Sequence, residues 1–326
     1  SENPDNFNPY LASLLASSQV TRYVFNSLYT INYKGEWEPA LATGYTVSRD
    51  GLTWTFTLRP GVRWSDGEPL TSADAKFTWQ LATNKDVHIT YASGFDKIAS
   101  IDTPTPASIV YRLKEPYAPF RDQIAGAAIV PQHVLGPLSA EQINRAPFNQ
   151  KPVGTGPFAV SEFATDDHVT LTANPYYWRS RPKLQRLIVR IVPDRNTQVN
   201  LLRAGELSLL ASVPPARLEE ILRLPTVVVK RYLSPVYALI QLDEYEFLRD
   251  VRVRQALDFA TPKESIIKNI MKGQAEPAVS DMVPNGPWAN RQLKPRPFDP
   301  VRARQLLADA GFRPGPDGVL VKGGKR

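Results

Sequence analysis

The clearest alternation of apolar and polar positions runs through "GLTWTFTLRPG", where Leu52, Trp54, Phe56 and Leu58 take turns with Thr53, Thr55 and Thr57. A period of two predicts a strand with one buried and one wet face. Asp50-Gly51 ahead of it is a turn pair that folds the strand back onto Tyr45 and Val47. After the punctuation at Asp66-Gly67, Thr71 is placed to cap a helix whose third residue, Asp74, reaches back, with Phe77 and Leu81 on one face. A second strand pair is expected around "FDKIASIDTPTPASIVYRL". "HVTLTAN" and "RLIVRIVPD" read as further strands, the latter as a buried one.

The spacing changes to three and four elsewhere. Val20, Tyr23, Val24, Ser27 and Leu28 predict a helix after a polar lead that includes the loop Leu14 to Gln19. Asp194 to Gly205 predicts a helix with Val199 and Leu202 inward, and Pro214 to Leu224 another with proline in its first turn. "DVRVRQALDFA" places Val253, Ala256, Leu257 and Ala260 on one side. "TPKESIIKNIMKG" follows, with Thr261 as cap, Pro262 first, Glu264 for a capping box and Gly273 as stop. "DPVRARQLLADAG" repeats that grammar with Asp299, Pro300, Leu306, Leu307 and Gly311, and "GVLV" is strand-like.

The 326 residues exceed what one hydrophobic core usually holds, so more than one domain is expected. Zero cysteines rule out disulfides, thiolate metal sites and thiol catalysis. The formal charge of +7 comes from Lys and Arg scattered among acidic residues, with no basic run, so no nucleic-acid partner is expected. Apolar runs are too short for a membrane span. The opening at Ser1 lacks the basic start and apolar stretch of a signal peptide.

Candidate chemistry is sparse. His88, His133 and His168 stand apart from one another, which predicts hydrogen-bonded or surface roles and no metal site. "VGTGPF" has Pro157 where a phosphate loop would open a helix. Neighbouring carboxylates in Asp166-Asp167 and Glu219-Glu220 point apart on a strand or helix. No Ser-His-Asp arrangement is readable, so no enzyme and no cofactor are expected.

With these elements in place, "PALATGYTVSRDGLTWTFTLRPGVRWSDGEPLTSADAKFTW" resembles the signature region of the family 5 bacterial extracellular solute-binding proteins. The series continues in order with "VGTGPFAVSEF", "LTANPYYWRSRPKLQRLIVRIVPDRNTQVNLLRAGEL", "DVRVRQALDFATPKESI" and "PFDPVRARQLLADAGF". Ser208 and Thr261-Pro262-Lys263 depart from the usual pattern at structural positions. The resemblance implies an α/β, two-lobed periplasmic-binding-protein-like fold, of the class II type with an extra subdomain, and a second lobe that is truncated. Residues 1–34 and 154–240 are expected to be the lobe I core, 35–153 an inserted β-rich subdomain, and 241–326 the beginning of lobe II. An unfinished lobe would leave apolar helix faces exposed and peptide binding weak.

The resemblance implies a non-enzymatic, extracytoplasmic receptor that captures short peptides between the lobes and delivers them to the permease of an ABC importer. It would meet the membrane surface only through that permease or a lost lipid anchor. A metal chelate or oligosaccharide ligand, or a peptide-interaction or chaperone role, are the alternatives. Ser17, Ser18 and Gln19 would either bond an extended peptide backbone or cap the helix. Tyr237 and Gln241 alternate along a hinge strand, where Tyr237 would stack on ligand or pack in the core, and both would face the cavity of Ser17 to Gln19. Tyr91 and Ser212 are placed by the resemblance on loops approaching the cleft.

Overall fold

A computed structural model describes residues 2–32, 34–232, 238–240, 242, 246–282 and 289–323. The chain divides into two compact units, Ser1–Asp194 and Arg195–Arg326.

In unit 1 the alternation at Leu52 to Leu58 becomes a central strand. β1 (Tyr29–Ile31) pairs with β2 (Trp37–Pro39), and β3 (Ala42–Val47), β4 (Thr53–Leu58), β5 (Ile98–Thr105) and β6 (Ser108–Leu113) form a sheet in the order β3-β4-β6-β5. Neighbours are antiparallel, with Tyr45 opposite Phe56 and Val47 opposite Trp54. Gly51 supplies the positive φ of 71° that the turn needs. Phe56 and Leu58 are buried. Trp54 stacks on Phe120 at 4.5 Å, offset contact that adds to area burial.

α1 (Leu15–Val24) precedes this sheet, and α2 (Ser72–Ala82) packs on it through β5 and β6. The expected capping box between Thr71 and Asp74 closes α2, with Thr71 N–H donating to Asp74 Oδ2 at 2.8 Å, and the Ser72 hydroxyl separately ties the helix to β5 by donating to Thr105 O at 2.7 Å. α3 (Gln132–Leu135) and α4 (Ala140–Asn144) are short. The unit ends in a second antiparallel sheet, β7 (Phe158–Ala164), β8 (His168–Ala173) and β9 (Arg186–Arg190). One buried cluster runs from Phe7 through Val20, Val24, Phe56 and Trp64 to Val169 and Leu171, so the core of unit 1 is continuous across position 154.

Unit 2 holds α5 (Arg195–Arg203), α6 (Leu218–Leu222), α7 (Val251–Ala260), α8 (Lys263–Asn269), α9 (Pro300–Asp309) and a two-stranded ladder of β10 (Arg313–Pro314) and β11 (Leu320–Val321). α7 packs on α9, burying Val253, Ala256, Ala303 and Leu306. Asp250 and Asp299 cap these two helices, accepting from Arg252 N and Arg302 N. Large apolar side chains remain exposed in this unit, among them Ile270 at 67% and Val301 at 74%. No helix among the described residues is long and apolar enough to cross a membrane.

Three local expectations change. Ser27 and Leu28 lie beyond α1, whose helix starts at Leu15 and therefore includes Ser17 to Gln19. The helix stops at Val24 because its carbonyl accepts from Gly156 N at 2.7 Å and the chain turns into a bridge from Ser27 to Ala128. Thr261 does not cap α8; its hydroxyl bonds back to Leu257 O at 2.8 Å, and Pro262 holds the cap position with no side-chain bond. β9 is an edge strand paired only with β8, and its burial alternates: Leu187 and Val189 pack against the core while Ile188, on the other face, is 47% exposed.

Candidate functional site

Three of the residues expected to contact ligand, Ser17, Ser18 and Gln19, lie in the first half of α1. Leu14, in the N-cap position, has no side-chain oxygen to offer the first turn, and its carbonyl accepts from Ser18 N at 3.2 Å. Asp5 reaches this helix start from outside, bonding the two amides just ahead of the helix and one hydroxyl inside its first turn. Its Oδ2 accepts from Ser13 N at 2.9 Å and from the Ser13 hydroxyl at 2.6 Å, and its Oδ1 accepts from Leu14 N at 3.3 Å and from the Ser17 hydroxyl. Ser17 Oγ in turn accepts from Asp5 N at 3.0 Å. Partial burial pushes the Asp5 carboxyl up, but the bonds from Ser13 and Ser17 outweigh it and hold the group down at about 2.

Ser17 is thus buried, its hydroxyl engaged by Asp5, while Ser18 is exposed and Gln19 half-buried on the outer side of the same turn. Val20 and Val24 turn inward with no exposed area, each burial worth about 1.5 to 3 kcal/mol. The loop carrying Tyr91 is tied to the segment that enters α1: Thr90 N donates to Tyr10 O at 2.8 Å and its hydroxyl to Leu11 O at 3.0 Å. At its other end His88 N donates to Asn144 Oδ1 at 2.9 Å. Tyr91 itself is 63% exposed, an aromatic side chain held out from an anchored loop.

Ser212 is an exposed residue of unit 2, and Tyr237 and Gln241 lie outside the described residues, so the shared cavity expected for Tyr237 and Ser17 to Gln19 does too. Unit 2 has an open groove of about 540 Å³ lined by Glu219, Glu264, Ile267, Lys268 and Lys272. Among the described residues no group of three or more His, Asp or Glu gathers as a metal site. His133 bonds Asp66 at 2.8 Å and His168 bonds Asp167 at 3.0 Å. Asp166 turns instead to Asn3, and Glu220 is held by Arg217 and Arg203. Asp5 is the residue that the hydrophobic pattern did not mark: a carboxylate in a polar lead has no periodicity, and its only signal is the serine pair Ser13 and Ser17 downstream.

The chain belongs to the bacterial extracellular solute-binding proteins, family 5, whose model ("family 5 Middle") matches residues 36–325. It is 31% identical to protein XP55 of Streptomyces lividans over 327 aligned positions, covering 99% of this chain and 58% of that protein. The chain spans between about half and three fifths of the curated relatives it matches. Among solved structures it is similar to NikZ of Campylobacter jejuni in complex with Ni(L-His), with a TM-score of 0.86 and 29% identity over 99% of this chain and 64% of that one. The ABC transporter-associated periplasmic binding protein DppA of Helicobacter pylori, in complex with the peptide STSA, matches with a TM-score of 0.81 and 26% identity over 95% of this chain and 65% of that one. The fold is the α/β fold of the two-lobed family 5 binding proteins.

Proposed function

We propose that this protein is a non-enzymatic, extracytoplasmic receptor that captures short peptides and delivers them to the permease of an ABC importer. The observation that carries the reading is the family match over residues 36–325 together with the likeness to the peptide complex of DppA. In this reading residues 1–34 and 154–240 form the lobe I core, 35–153 its subdomain, and 241–326 the beginning of lobe II. Ser18, Gln19 and Tyr91 contact the ligand on lobe I with Ser17 buried behind them, and Ser212, Tyr237 and Gln241 complete the set. Hydroxyl and amide groups suit the backbone of an extended peptide whatever its side chains, and an exposed tyrosine adds apolar area at low entropic cost.

The likeness to NikZ with its nickel–histidine ligand favours a second reading, a metal chelate in place of the peptide. Native mass spectrometry on the protein purified from its own cells separates them, since a closed cleft retains its solute. The expected result is a protein carrying short peptides, and a melting temperature that rises when the emptied protein meets a defined pool of di- to pentapeptides. Retention of nickel–histidine with no response to the pool would overturn the peptide reading. Release of shortened peptides would overturn the non-enzymatic one.

A further inference from the structure

The segment ahead of α1 is bonded at intervals along its length. Asp166, at the β7–β8 turn with a φ of 63°, donates its N–H to Asn3 Oδ1 at 2.8 Å, and Asn3 returns a bond from its own amide to the Asp166 carboxylate. Phe7 has no exposed area; its ring meets Phe163 of β7 edge-on at 5.3 Å and its N–H donates to Asn149 O at 2.8 Å. Asn8 is buried and its side-chain amide reaches Asn149 Oδ1 at 3.3 Å. Between these two anchorages sits Asp5, whose carboxylate accepts from Ser13, Leu14 and Ser17. The residues meant to touch ligand, Ser18 and Gln19, follow Ser17 directly on the helix.

We propose that Asp5 is a positioning residue for the ligand site: strapped between the β7–β8 turn and Asn149, it fixes the first turn of α1 and thereby the placement of Ser18 and Gln19. The proposal rests on the peptide-receptor reading above. Two observations distinguish this from ordinary capping. The N-cap side chain of α1 makes no bond of its own, and the helix start is held through Ser13 N, Leu14 N and the Ser17 hydroxyl by a carboxylate that the rest of the unit keeps in place. Ser17 accepts the Asp5 N–H while donating to its carboxylate, so backbone and side chain of the strap are both locked to the turn. Rigid support of contacting groups lowers the ordering cost of binding, which is where a remote residue can act on affinity.

The test uses Asp5→Ala, Asp5→Asn and, as control, Thr71→Ala, which loses the cap of α2 and leaves α1 alone. Amide hydrogen exchange of residues 13, 14 and 18 and affinity for the di- to pentapeptide pool are measured on each. Asp5→Ala is expected to accelerate exchange there about 10-fold and to weaken peptide binding about 10-fold. Asp5→Asn keeps one acceptor oxygen and should restore much of both. Thr71→Ala should lower the melting temperature and change neither. Unchanged protection of residues 13, 14 and 18 in Asp5→Ala, or lost protection with unchanged affinity, overturns the proposal. A wild type that binds none of the peptides sinks the receptor reading and the ligand half of this one, while the exchange data still judge the hold of Asp5 on α1.

Discussion

At the scale of single residues, the polar side chains of unit 1 are placed by specific partners. His168 shows it: Asp167 bonds Nδ1 at 3.0 Å, Glu162 faces Nε2 at 3.5 Å, and Arg190 stands opposite on β9. The hydrogen bond to Asp167, backed by Glu162, outweighs partial desolvation and raises the imidazole above its usual 6.5. A raised folded pKa means that the native state holds the proton more tightly than the unfolded chain. The stabilisation is therefore complete below about 6.5 and is lost as pH rises through the raised value. Urea midpoints between about pH 5.5 and about pH 8.5 at low salt should decline more steeply for the wild type than for His168→Gln. Parallel curves would show that the two carboxylates do not act on this ring. Asp5 has the opposite sign: held at about 2, it stabilises the fold above the ordinary carboxylate range and loses that contribution as pH falls through about 2.

At the scale of elements, regular structure was readable where burial imposes a period, and junctions were not. The alternation at Leu52 to Leu58 became β4 in the register that Asp50-Gly51 implied, because a slip of one residue would turn Phe56 and Leu58 out to water. The Thr71 and Asp299 caps were likewise legible, since capping is local. The end of α1 was not, because it depends on residues more than a hundred positions away. Gly156 donates to Val24 O at 2.7 Å, and a β-carbon there would sit 2.4 Å from Tyr23 O and 2.6 Å from the Val24 carbonyl carbon. A β-carbon on Gly154 would come closer still, 2.0 Å from Val24 O, and Gly154 is joined to Ser65 of the "WSDGE" turn. The glycines of "VGTGPF" thus serve close approach, and no positive φ is needed. Gly156→Ala should cost at least ~3 kcal/mol in chemical denaturation, since backbone cannot yield as a flexible side chain can. A loss below about 1 kcal/mol would mean that the contact relaxes freely.

At the scale of the whole molecule, the buried clusters of the two units share no residue. Unit 1 has a long continuous core, whereas unit 2 relies on α7 against α9 and keeps large apolar side chains exposed. Calorimetry should therefore resolve two transitions, with Leu306→Ala lowering one of them by ~2 to 5 kcal/mol and leaving the other in place. A single transition shifted as a whole would show that the units unfold together. Family and fold class were legible from the ordered series of motifs, because pattern, turns and caps are local physics repeated along the chain. For the candidate site the sequence pointed to Ser17, Ser18, Gln19 and Tyr91 as expectations, and did not point to Asp5, whose carboxylate bonds Ser17. Local sequence determined which segments are strands and helices and where most of them start. Tertiary structure alone decided that α1 ends at Val24, that β9 lies at an edge, and that Asp5 bonds Ser13, Leu14 and Ser17 at the start of α1. Each of those outcomes depends on hydrogen bonds or packing between distant segments, for which a linear pattern carries no period.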